Sequence, residues 1–569
     1  MLKKYIDAAI SRNECDIVLK NAFYTDVFTQ QVRRGDIAIC ADRIVGVGEY
    51  SGKKEYDCTG KYVLPAFIDS HVHIESAQLS PQGFAKLAVP LGTCTVIADP
   101  HEIANVCGLA GIEYMTEAAA KTPLEVKIMM PSCVPATPFE TSGATLSAGD
   151  IAGVIDKNSV FGLAEFMNYP AVVSGDSEAL KKLEAAHRAG KVCDGHAPAL
   201  SGKALNAYLC GGIATDHECE TEAEIEEKLS KGMYIALRHG STARNLKRNC
   251  HMITPQNLRR FTVCTDDRHA ADIARIGHID DALRTMVAEG VDPVAAVTAA
   301  TLNAAECYNL KNYGAIAPAY FADIAVVGDL KNFNVLSVFK RGRLVAEGGR
   351  ALFDCRAEAP QSVRNTVRLK ELAPEDFKLT LKGSRAKVIT LEGGTIVTGC
   401  KVCEVATSCG DVCLAGTGLN KLAVVERHRG TGNIGRGLIA GFGLERGAIG
   451  VTVSHDSHNL IIAGADNKSM ARVANALKEA GGGMAVCDGD GVHILPLDIG
   501  GLMSSEEPEE FIKKSGALYE RAYATGIKRE FDAFLSLAFL SLAVVPHLKL
   551  LDTGLFDTDG FCFTDINAV

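Results

Sequence analysis

The chain has 569 residues, a length that predicts several domains and not one core. Hydrophobic residues make up 47% and charged residues 22%, which is ordinary for a soluble globular protein. The net charge of −10 argues against a nucleic acid or an anionic membrane surface as partner.

Neither the N-terminus nor the apolar segments predict export or membrane insertion. Residues 1–20 lack a continuous apolar run, so no signal peptide is predicted. The longest apolar stretch, 533–545, is too short to span a bilayer and is predicted to be a buried helix or strand. The 19 cysteines are irregularly scattered, which favours free thiols over a disulfide framework. We therefore expect a cytoplasmic protein.

Two strand-rich segments flank a long middle section. Short apolar strands separated by turn residues occur at 16–64, and a similar pattern returns at 314–348. Strands of this kind on both sides of an insertion predict one small β-sandwich domain that is split in sequence. We place its two parts at 1–63 and 311–367.

The middle section, 64–310, alternates short apolar strands with helical segments, which predicts parallel βα units. Eight such units predict an α/β fold of the (β/α)8 barrel type. The predicted barrel strands are Ala66–Asp69, Cys94–Ala98, Val126–Met130, Val160–Ala164, Lys191–Asp194, Gly212–Ala214, Met233–Leu237 and Phe261–Cys264.

The character of the sequence changes again after residue 367. A helical pattern at 467–480, strand patterns at 387–391 and 447–453 and Gly-rich loops predict a separate C-terminal α+β domain over 368–569.

Residues able to bind metal follow five of the eight predicted barrel strands, where barrel enzymes place their reactive groups. They are His71 and His73 after the first strand, Glu165 after the fourth, His196 after the fifth, His217 after the sixth and Asp266 after the eighth. Six ligands exceed the three protein ligands of a catalytic zinc, so the set predicts two divalent ions that share a carboxylate and a water. Mixed imidazole and carboxylate ligands favour zinc, iron or manganese over calcium or magnesium.

Each of these residues has a structural interpretation when it is taken alone. A single His-x-His pair is often satisfied by hydrogen bonds, and an acidic residue after a strand is often a helix N-cap. Asp266 and Asp267 precede Arg268 and could serve only that purpose. The metal prediction therefore depends on the coincidence of suitable ligands at several strand ends.

Several motifs resemble the amidohydrolase superfamily and, within it, the family of microbial adenine deaminases. They are the stretches 67–76 (FIDSHVHIES), 96–105 (VIADPHEIAN), 194–198 (DGHAP), 215–218 (TDHE), 264–269 (CTDDRH), 455–459 (HDSHN), 500–503 (GGLM) and 548–556 (LKLLDTGLF). The resemblance covers almost the whole chain. Its most specific parts are Asp99–Glu102 and His455–Asn459, because generic amidohydrolases lack both.

The resemblance implies hydrolytic deamination of adenine to hypoxanthine and ammonia at a two-metal centre. It implies manganese as the first choice of metal, with iron or zinc as alternatives, and a homo-oligomer as the assembly. Carried over by position, His71, His73 and Asp266 would hold one ion, His196 and His217 would hold the other, and Glu165 would bridge them. Many relatives use a carbamylated lysine as the bridge, where this chain has Glu165.

Further roles are predicted for residues near the same carboxyl ends of the barrel strands. Asp266 is predicted to accept a proton as a general base and then to donate it as a general acid. Glu102, with His101 beside it, is predicted to contact N1 or the purine edge. Arg238 and His239 follow the seventh strand, at the expected substrate rim. The family pattern there has Glu where this chain has His239, so a negative charge is missing.

Other functions stay open at this point. Deacetylation of an amino sugar, or hydrolysis of a cyclic amide, would use the same metal centre. A weakly active paralogue or a non-catalytic assembly protein would share the scaffold, although the six filled ligand positions argue against the latter. A cytidine-deaminase-type enzyme is excluded because no H-x-E is followed by P-C-x-x-C. The segment His455–Asn459 could form an interface or lid, or a third metal site.

Overall fold

The computed structural model describes residues 1–391 and 397–568. The chain forms two compact units, and neither is continuous in sequence. The first unit comprises Met1–Pro100, Met115–Cys133 and Ser147–Ala357. The second unit comprises His101–Tyr114, Val134–Leu146 and Glu358–Val569.

The first unit begins with a helix and five strands. They are α1 (Leu2–Ala9), β1 (Cys15–Asp26), β2 (Gln31–Cys40), β3 (Arg43–Gly48), β4 (Gly52–Asp57) and β5 (Tyr62–Pro65). β1 pairs antiparallel with β2 and parallel with β4 and β5. Alternate residues of these strands point to opposite faces. Leu19, Ile37 and Ile39 therefore join one apolar cluster, whereas Val18 and Ala38 join another with Ala8 of α1.

Eight parallel strands follow in the same unit. They are β6 (Phe67–Val72), β7 (Thr93–Ala98), β8 (Glu125–Met130), β9 (Gly162–Phe166), β10 (Val192–Gly195), β11 (Thr215–Asp216), β12 (Tyr234–Arg238) and β13 (Phe261–Cys264). β6 to β10 form one sheet and β11 to β13 another. Parallel bridges join the two sheets at Cys193–Ile213 and at Val72–Asp266, so the strands close into a ring. The predicted (β/α)8 barrel is thus confirmed.

Seven predicted barrel strands overlap the observed ones, and the sixth is partly correct, because its Ile213 forms the parallel bridge to Cys193. The prediction was Gly212–Ala214, but β11 comprises Thr215 and Asp216. Gly212 has a φ of +80°, in the left-handed region that glycine tolerates best. The backbone is therefore still turning at Gly212, after the preceding helix, and a regular strand begins only beyond it.

Helices follow most barrel strands, and several are capped by their own sequence. They are α2 (Pro81–Ala88), α3 (His101–Cys107), α4 (Leu109–Ala119), α5 (Ala148–Ala152), α6 (Tyr169–Ser174), α7 (Ser177–Arg188), α8 (Gly202–Cys210), α9 (Glu222–Ser230), α10 (Leu246–Asn249), α11 (Ala270–Ile276), α12 (Ile279–Ala288), α13 (Pro293–Thr298) and α14 (Ala304–Cys307). The side chains of Asp176, Thr221 and Asp292 accept hydrogen bonds from backbone N–H groups in the first turns of α7, α9 and α13. Such caps explain why these helices begin where they do.

The chain then returns to its first sheet. The returning strands are β14 (Ile324–Val327), β15 (Val335–Lys340), β16 (Arg343–Glu347) and β17 (Arg350–Ala351). β14 pairs antiparallel with β5, so strands from before and after the barrel share one nine-stranded sheet. The domain limits at 63 and 311 stay a prediction.

Most of the second unit follows residue 358. Its strands and helices are β18 (Arg385–Leu391), β19 (Thr398–Glu404), β20 (Thr407–Ser408), β21 (Asp411–Val412), β22 (Leu419–Val425), β23 (Ile434–Ala440), β24 (Ala448–Val451), β25 (Leu460–Gly464), α15 (Asn467–Glu479), β26 (Gly483–Cys487), β27 (Val492–Pro496), α16 (Pro508–Ala524), α17 (Leu535–Ala538), β28 (Leu548–Leu551), β29 (Gly554–Asp557) and β30 (Cys562–Phe563). Eight of the strands form a mixed sheet in the order β19-β18-β23-β22-β25-β24-β26-β27. α15 packs on it through Met470, Val473 and Leu477.

Two segments that precede residue 147 belong to this second unit. The backbone N–H of Gly143 donates to the carbonyl of Asn105, at 2.8 Å. The backbone N–H of Thr141 donates to Asp552 Oδ1, at 3.0 Å, and Asn459 Nδ2 donates to the carbonyl of Thr141, at 2.8 Å. The segments 101–114 and 134–146 are thus bonded both to each other and to the C-terminal region.

Short helical turns complete the fold. The apolar stretch 533–545 contains α17 and the 3-10 turn Phe539–Ser541. The remaining short turns are Ile74–Ala77, Val89–Leu91, Cys250–Met252, Leu258–Arg260, the π turn Ala299–Asn303, Gln361–Val363 and Pro374–Phe377. Among residues 1–391 and 397–568, we find no helix with the length and apolar character that a membrane span requires.

Candidate functional site

The six residues predicted to bind metal come together in the first unit. They lie at the carboxyl ends of five barrel strands: His71 and His73 at β6, Glu165 in β9, His196 after β10, His217 after β11 and Asp266 after β13. Five of them are buried and His196 is partly exposed. The barrel therefore positions the side chains as the sequence predicts.

His71, His73 and Asp266 form the first half of this cluster. The Nε2 atoms of the two histidines are 3.2 Å apart, and Asp266 Oδ1 lies 3.2 Å from His73 Nε2 and 3.4 Å from His71 Nε2. His73 Nδ1 donates to the carbonyl of Asp99, at 2.9 Å, and His71 Nδ1 faces Asp194 Oδ2, at 3.2 Å. In neutral rings these bonds leave the two Nε2 lone pairs aimed at one point, where a cation fits.

Glu165 connects this half to the other. Its Oε1 lies 3.4 Å from His73 Nε2 and 3.8 Å from His71 Nε2. Its Oε2 lies 2.8 Å from His196 Nδ1 and 3.4 Å from His217 Nε2. Each oxygen of one carboxylate therefore faces a different pair of imidazoles. This set of imidazole and carboxylate donors fits divalent metal ions.

The charges of the cluster also suit cations. Burial opposes protonation, but hydrogen bonds to Asp194 and Asp266 raise the pKa of His71 to about 10. Burial and the neighbouring His71 lower the pKa of His217 to about 3. Burial also opposes the charged carboxylate, yet Arg238 and His71 keep the pKa of Asp266 well below its ordinary value. The ionised carboxylates require positive charge, which protons or divalent ions can supply.

Arg238 fixes Asp266 from the side away from the histidines. It ends β12, and its Nη1 donates to Asp266 Oδ2, at 2.8 Å, and also to Glu218. Glu218 Oε1 in turn lies 3.5 Å from His217 Nε2. Asp266 has a φ of +56°, a left-handed conformation that costs energy for most residues and is frequent at functional sites. Both backbone and guanidinium therefore hold this carboxylate in place.

His239 has an acidic partner within the barrel. Its Nε2 lies 2.7 Å from Asp281 Oδ2 on α12, and Arg268 Nη2 donates to the same oxygen, at 2.7 Å. Arg268 Nη1 also donates to the carbonyl of His239, at 2.6 Å. Asp281 thus supplies a negative charge beside this position. The substrate contacts of Arg238 and His239 stay a prediction.

Asp194 and Glu218 were missed by the sequence analysis as parts of the site. Asp194 accepts from His71 and from Tyr308 Oη, the latter at 3.1 Å, and also from Thr215. It stands two positions before His196, so the alternation of an extended strand places both side chains on one face. This spacing of two residues from a predicted ligand was the sequence signal that could have identified Asp194. Glu218 directly follows a predicted ligand, and its bond to Arg238 has no local signature.

The second unit contains the other two predicted residues, His101 and Glu102, in the first turn of α3. Glu102 Oε1 lies 2.9 Å from His455 Nδ1 and 3.6 Å from His101 Nε2, and Glu102 Oε2 contacts His458 Nε2. All four side chains are buried. The segment His455–Asn459, for which the sequence left several roles open, thus surrounds Glu102.

The full-length sequence resembles known enzymes closely. Residues 62–345 match the model of the amidohydrolase family, and residues 395–562 match that of the adenine deaminase C-terminal domain. An adenine deaminase from Nitratidesulfovibrio vulgaris (strain DP4) is 46% identical over 100% of this chain and 99% of its own length. This chain belongs to the adenine deaminase family. An adenine deaminase from Clostridium acetobutylicum is 44% identical over 99% of both chains, and one from Geobacillus kaustophilus is 42% identical over 100% of this chain and 99% of its own.

Solved structures resemble part of the chain. A β-aspartyl dipeptidase from Fervidobacterium islandicum AW-1 is 19% identical, with a TM-score of 0.46 over 60% of this chain and 99% of its own. An N-acetyl-D-glucosamine-6-phosphate deacetylase from Mycobacterium smegmatis is 16% identical, with a TM-score of 0.45 over 58% of this chain and 99% of its own.

Proposed function

We propose that this protein hydrolyses adenine to hypoxanthine and ammonia at a centre that holds two divalent metal ions. The substrate is supported by relatives named adenine deaminase, which match the chain over its full length at 40–46% identity. The chemistry is supported by one observation above all: the two oxygens of Glu165 face separate pairs of imidazoles.

The proposed ligands divide into two groups. His71, His73 and Asp266 would hold one ion, His196 and His217 would hold the other, and Glu165 would contact both. Manganese is our first choice, with iron and zinc as alternatives, because each accepts imidazole and carboxylate ligands. When bound, the ions would act as Lewis acids that lower the pKa of the attacking water.

The chain's own residues handle the protons in this proposal. Asp266 takes a proton from the attacking water while Arg238 holds its other oxygen. The water oxygen bonds to C6 of adenine, and Asp266 then returns the proton to the exocyclic nitrogen. The C6–N6 bond breaks and ammonia leaves, and the hydrogen that remains on the C6 oxygen moves to N1, which gives the 6-oxo product hypoxanthine. Glu102, with His101 beside it, is the proposed contact of the purine, and Arg238 and His239 are proposed to border it.

Metal removal tests the proposal. After treatment with a chelator and verified loss of metal, adenine turnover should disappear, and it should return as manganese is restored to about two ions per chain. Ammonia release and the ultraviolet change from adenine to hypoxanthine measure it. Turnover that survives complete metal removal contradicts the two-metal centre. Hydrolysis of an acyl substrate without any action on adenine would instead favour another amidohydrolase reaction.

Asp266→Asn tests the proton carrier. Asparagine keeps the shape of Asp266 but cannot accept the proton, so turnover should fall by about 100- to 10,000-fold. Metal analysis of the purified variant must show that both ions are retained. Near-normal turnover in a fully metallated variant would remove Asp266 from this role.

We also propose a cytoplasmic homo-oligomer that acts in purine salvage, with neither a nucleic acid nor a membrane as partner. Two observations support the compartment and the lack of anionic partners. All 19 cysteines lie in the described part of the chain and are free thiols, as in a reducing compartment. The net charge is −10, which disfavours anionic partners.

A further inference from the structure

A buried carboxylate in the second unit is held from two sides by histidines. Glu102 is only 3% exposed, and an ionised side chain is rarely buried to this degree without partners. Its Oε1 faces His455 Nδ1 at 2.9 Å, and its Oε2 faces His458 Nε2. The two histidines come from one segment between β24 and β25, so a single loop determines the surroundings of Glu102.

The tautomer of His458 follows from its other hydrogen bond. The backbone N–H of Ser454 donates to His458 Nδ1, at 3.1 Å, so this nitrogen carries a lone pair. A neutral imidazole with a lone pair on Nδ1 carries its hydrogen on Nε2. The Nε2–H group must therefore point at Glu102. Arg427, whose Nε donates to the carbonyl of His458, adds a nearby positive charge that disfavours a second proton on the ring.

His455 is fixed in a different way. Its ring stacks on Phe539 with centroids 4.8 Å apart and planes inclined by 11°. Its backbone N–H donates to the carbonyl of Ala538, at 3.2 Å. Ser541 Oγ donates to the carbonyl of His455, at 3.3 Å. Ring stacking and backbone bonds thus hold Nδ1 in the direction of Glu102.

We propose that His455 and His458 are positioning residues that keep Glu102 as an oriented hydrogen-bond acceptor. On this proposal Glu102 binds an N–H group of the purine and does not give a proton to N1. The inference rests on the proposed function, because it presumes that Glu102 contacts adenine. Adenine offers such donors at its exocyclic amine and at the N–H of its imidazole ring.

The charge of Glu102 agrees with this assignment. Burial opposes the ionised form, but His455 and His458 keep the pKa of Glu102 well below its ordinary value. His101 and Asp456 also lie beside the carboxylate. A competing explanation of this cluster is a metal ion bound by these groups. In that case the substitution of His458 would release bound metal.

Substitutions of His458 separate positioning from simple packing. His458→Phe keeps the ring volume but removes the donor, so kcat/KM for adenine should fall by roughly 10- to 100-fold. His458→Gln restores a neutral N–H donor and should recover most of the loss. His428→Phe is the matched control, since His428 is a buried histidine whose Nε2 binds the same loop through the carbonyl of Ser457, at 2.7 Å. It should lower kcat/KM much less than His458→Phe does, because it leaves the contact of His458 with Glu102 in place.

A double substitution shows whether His458 acts through Glu102. Once Glu102→Ala has removed the carboxylate, His458→Phe should cost nothing further in kcat/KM, because the two residues form one unit. A further loss in the double variant would overturn the proposal. So would a loss in His428→Phe as large as that in His458→Phe, or the release of bound metal from His458→Phe.

1-Deazaadenine identifies which edge Glu102 contacts. This analogue lacks N1 but keeps the N–H donors of adenine, so Glu102→Ala should weaken its inhibition as much as it raises the KM for adenine. If Glu102→Ala affects adenine alone, Glu102 contacts N1 and the proposal is overturned. Adenine turnover by the unmodified protein tests the proposed function separately. If that turnover is present and Glu102→Ala leaves it unchanged, the present inference and the purine contact of Glu102 are overturned, while the proposed deamination reaction stands.

Discussion

Asp194 lies behind His71, one of the proposed metal ligands. Its carboxylate binds His71 Nδ1, and this bond leaves His71 Nε2 to face His73 and Asp266. Partners of this kind fix the tautomer and the ring orientation of a metal-binding histidine and increase its basicity. Asp194 should therefore influence metal affinity without contacting the ion.

Asp194→Asn should weaken metal binding by about 10- to 100-fold, because an amide orients and polarises His71 less effectively than a carboxylate does. Competition between the apoprotein and a chelator of known affinity measures the change. Tyr308→Phe is the matched control, since it removes another hydrogen bond to Asp194 but leaves His71 bonded. Unchanged affinity in Asp194→Asn, or an equal loss in both variants, would contradict the role of Asp194.

Single residues were predictable where a strand end and a suitable ligand coincided. Glu165 and His217 could be selected in this way, because a parallel barrel brings its strand ends to one rim. The partners of Glu102 could not, since His455 and His458 are distant in sequence and no periodic pattern links them to it. Long-range hydrogen bonds of this kind depend on packing that local patterns do not encode.

At the scale of elements, Gly195 marks a close approach of two barrel strands. It ends β10, between Asp194 and His196, and a Cβ added there would overlap the carbonyl oxygen of Thr215 in β11. Gly195→Ala should therefore push β10 from β11 and displace His196. We expect a loss of about 1–3 kcal/mol in the free energy of unfolding, together with reduced occupancy of the second metal site.

Urea unfolding and metal analysis test this expectation. Gly328→Ala is the matched control, because a Cβ there has no neighbour within 4 Å and the residue has no positive φ. The control should change the free energy of unfolding by less than about 0.5 kcal/mol. A Gly195→Ala variant with full metal content and unchanged stability would show that the strands can separate without cost.

Lys340 joins the first sheet to the barrel inside the first unit. It ends β15, and its Nζ lies 2.9 Å from Glu125 Oε2 in β8 and 2.8 Å from Asp323 Oδ2. Its side chain is only 7% exposed. Arg341 Nη2, at 2.8 Å, and Lys127 Nζ, at 2.6 Å, also contact Glu125, so the loss of Lys340 leaves this carboxylate partly compensated. Lys340→Met should therefore lower the free energy of unfolding at pH 7 by about 1–3 kcal/mol, the cost of lost hydrogen bonds to charged groups.

The penalty of Lys340→Met should depend on pH in a defined direction. Burial opposes ionisation of Glu125, but Lys340 and Lys127 hold its pKa below the ordinary value. A carboxylate with a lowered pKa stabilises the fold above its unfolded pKa of about 4.3, and this contribution is lost as the pH falls towards the folded pKa. Urea unfolding at pH 7 and at pH 3.5 should show a smaller difference between variant and unmodified protein at the acidic pH. An equal difference at both values would exclude the coupling.

At the scale of the whole molecule, the sequence predicted the barrel and the C-terminal α+β character, but not the composition of the second unit. Strand and helix periodicity reports only local structure. The segments 101–114 and 134–146 lie between barrel strands in sequence, so local patterns group them with the barrel. Their hydrogen bonds to the C-terminal region, such as that of Thr141 to Asp552, become visible only in three dimensions.

This composition predicts that residues 358–569 do not fold alone. The isolated fragment would lose the bonds of Thr141 to Asn459 and Asp552, and it would expose Phe556, against which Phe139 packs with ring centroids 4.9 Å apart. Asp552 and His458 would lose buried partners from the missing segments. Since stability is a small balance of large terms, these losses should abolish cooperative unfolding.

Near-UV circular dichroism during urea unfolding should show no sharp transition for the fragment, while the full chain shows one. A cooperative transition in the fragment would mean that the C-terminal region is stable without the two inserted segments.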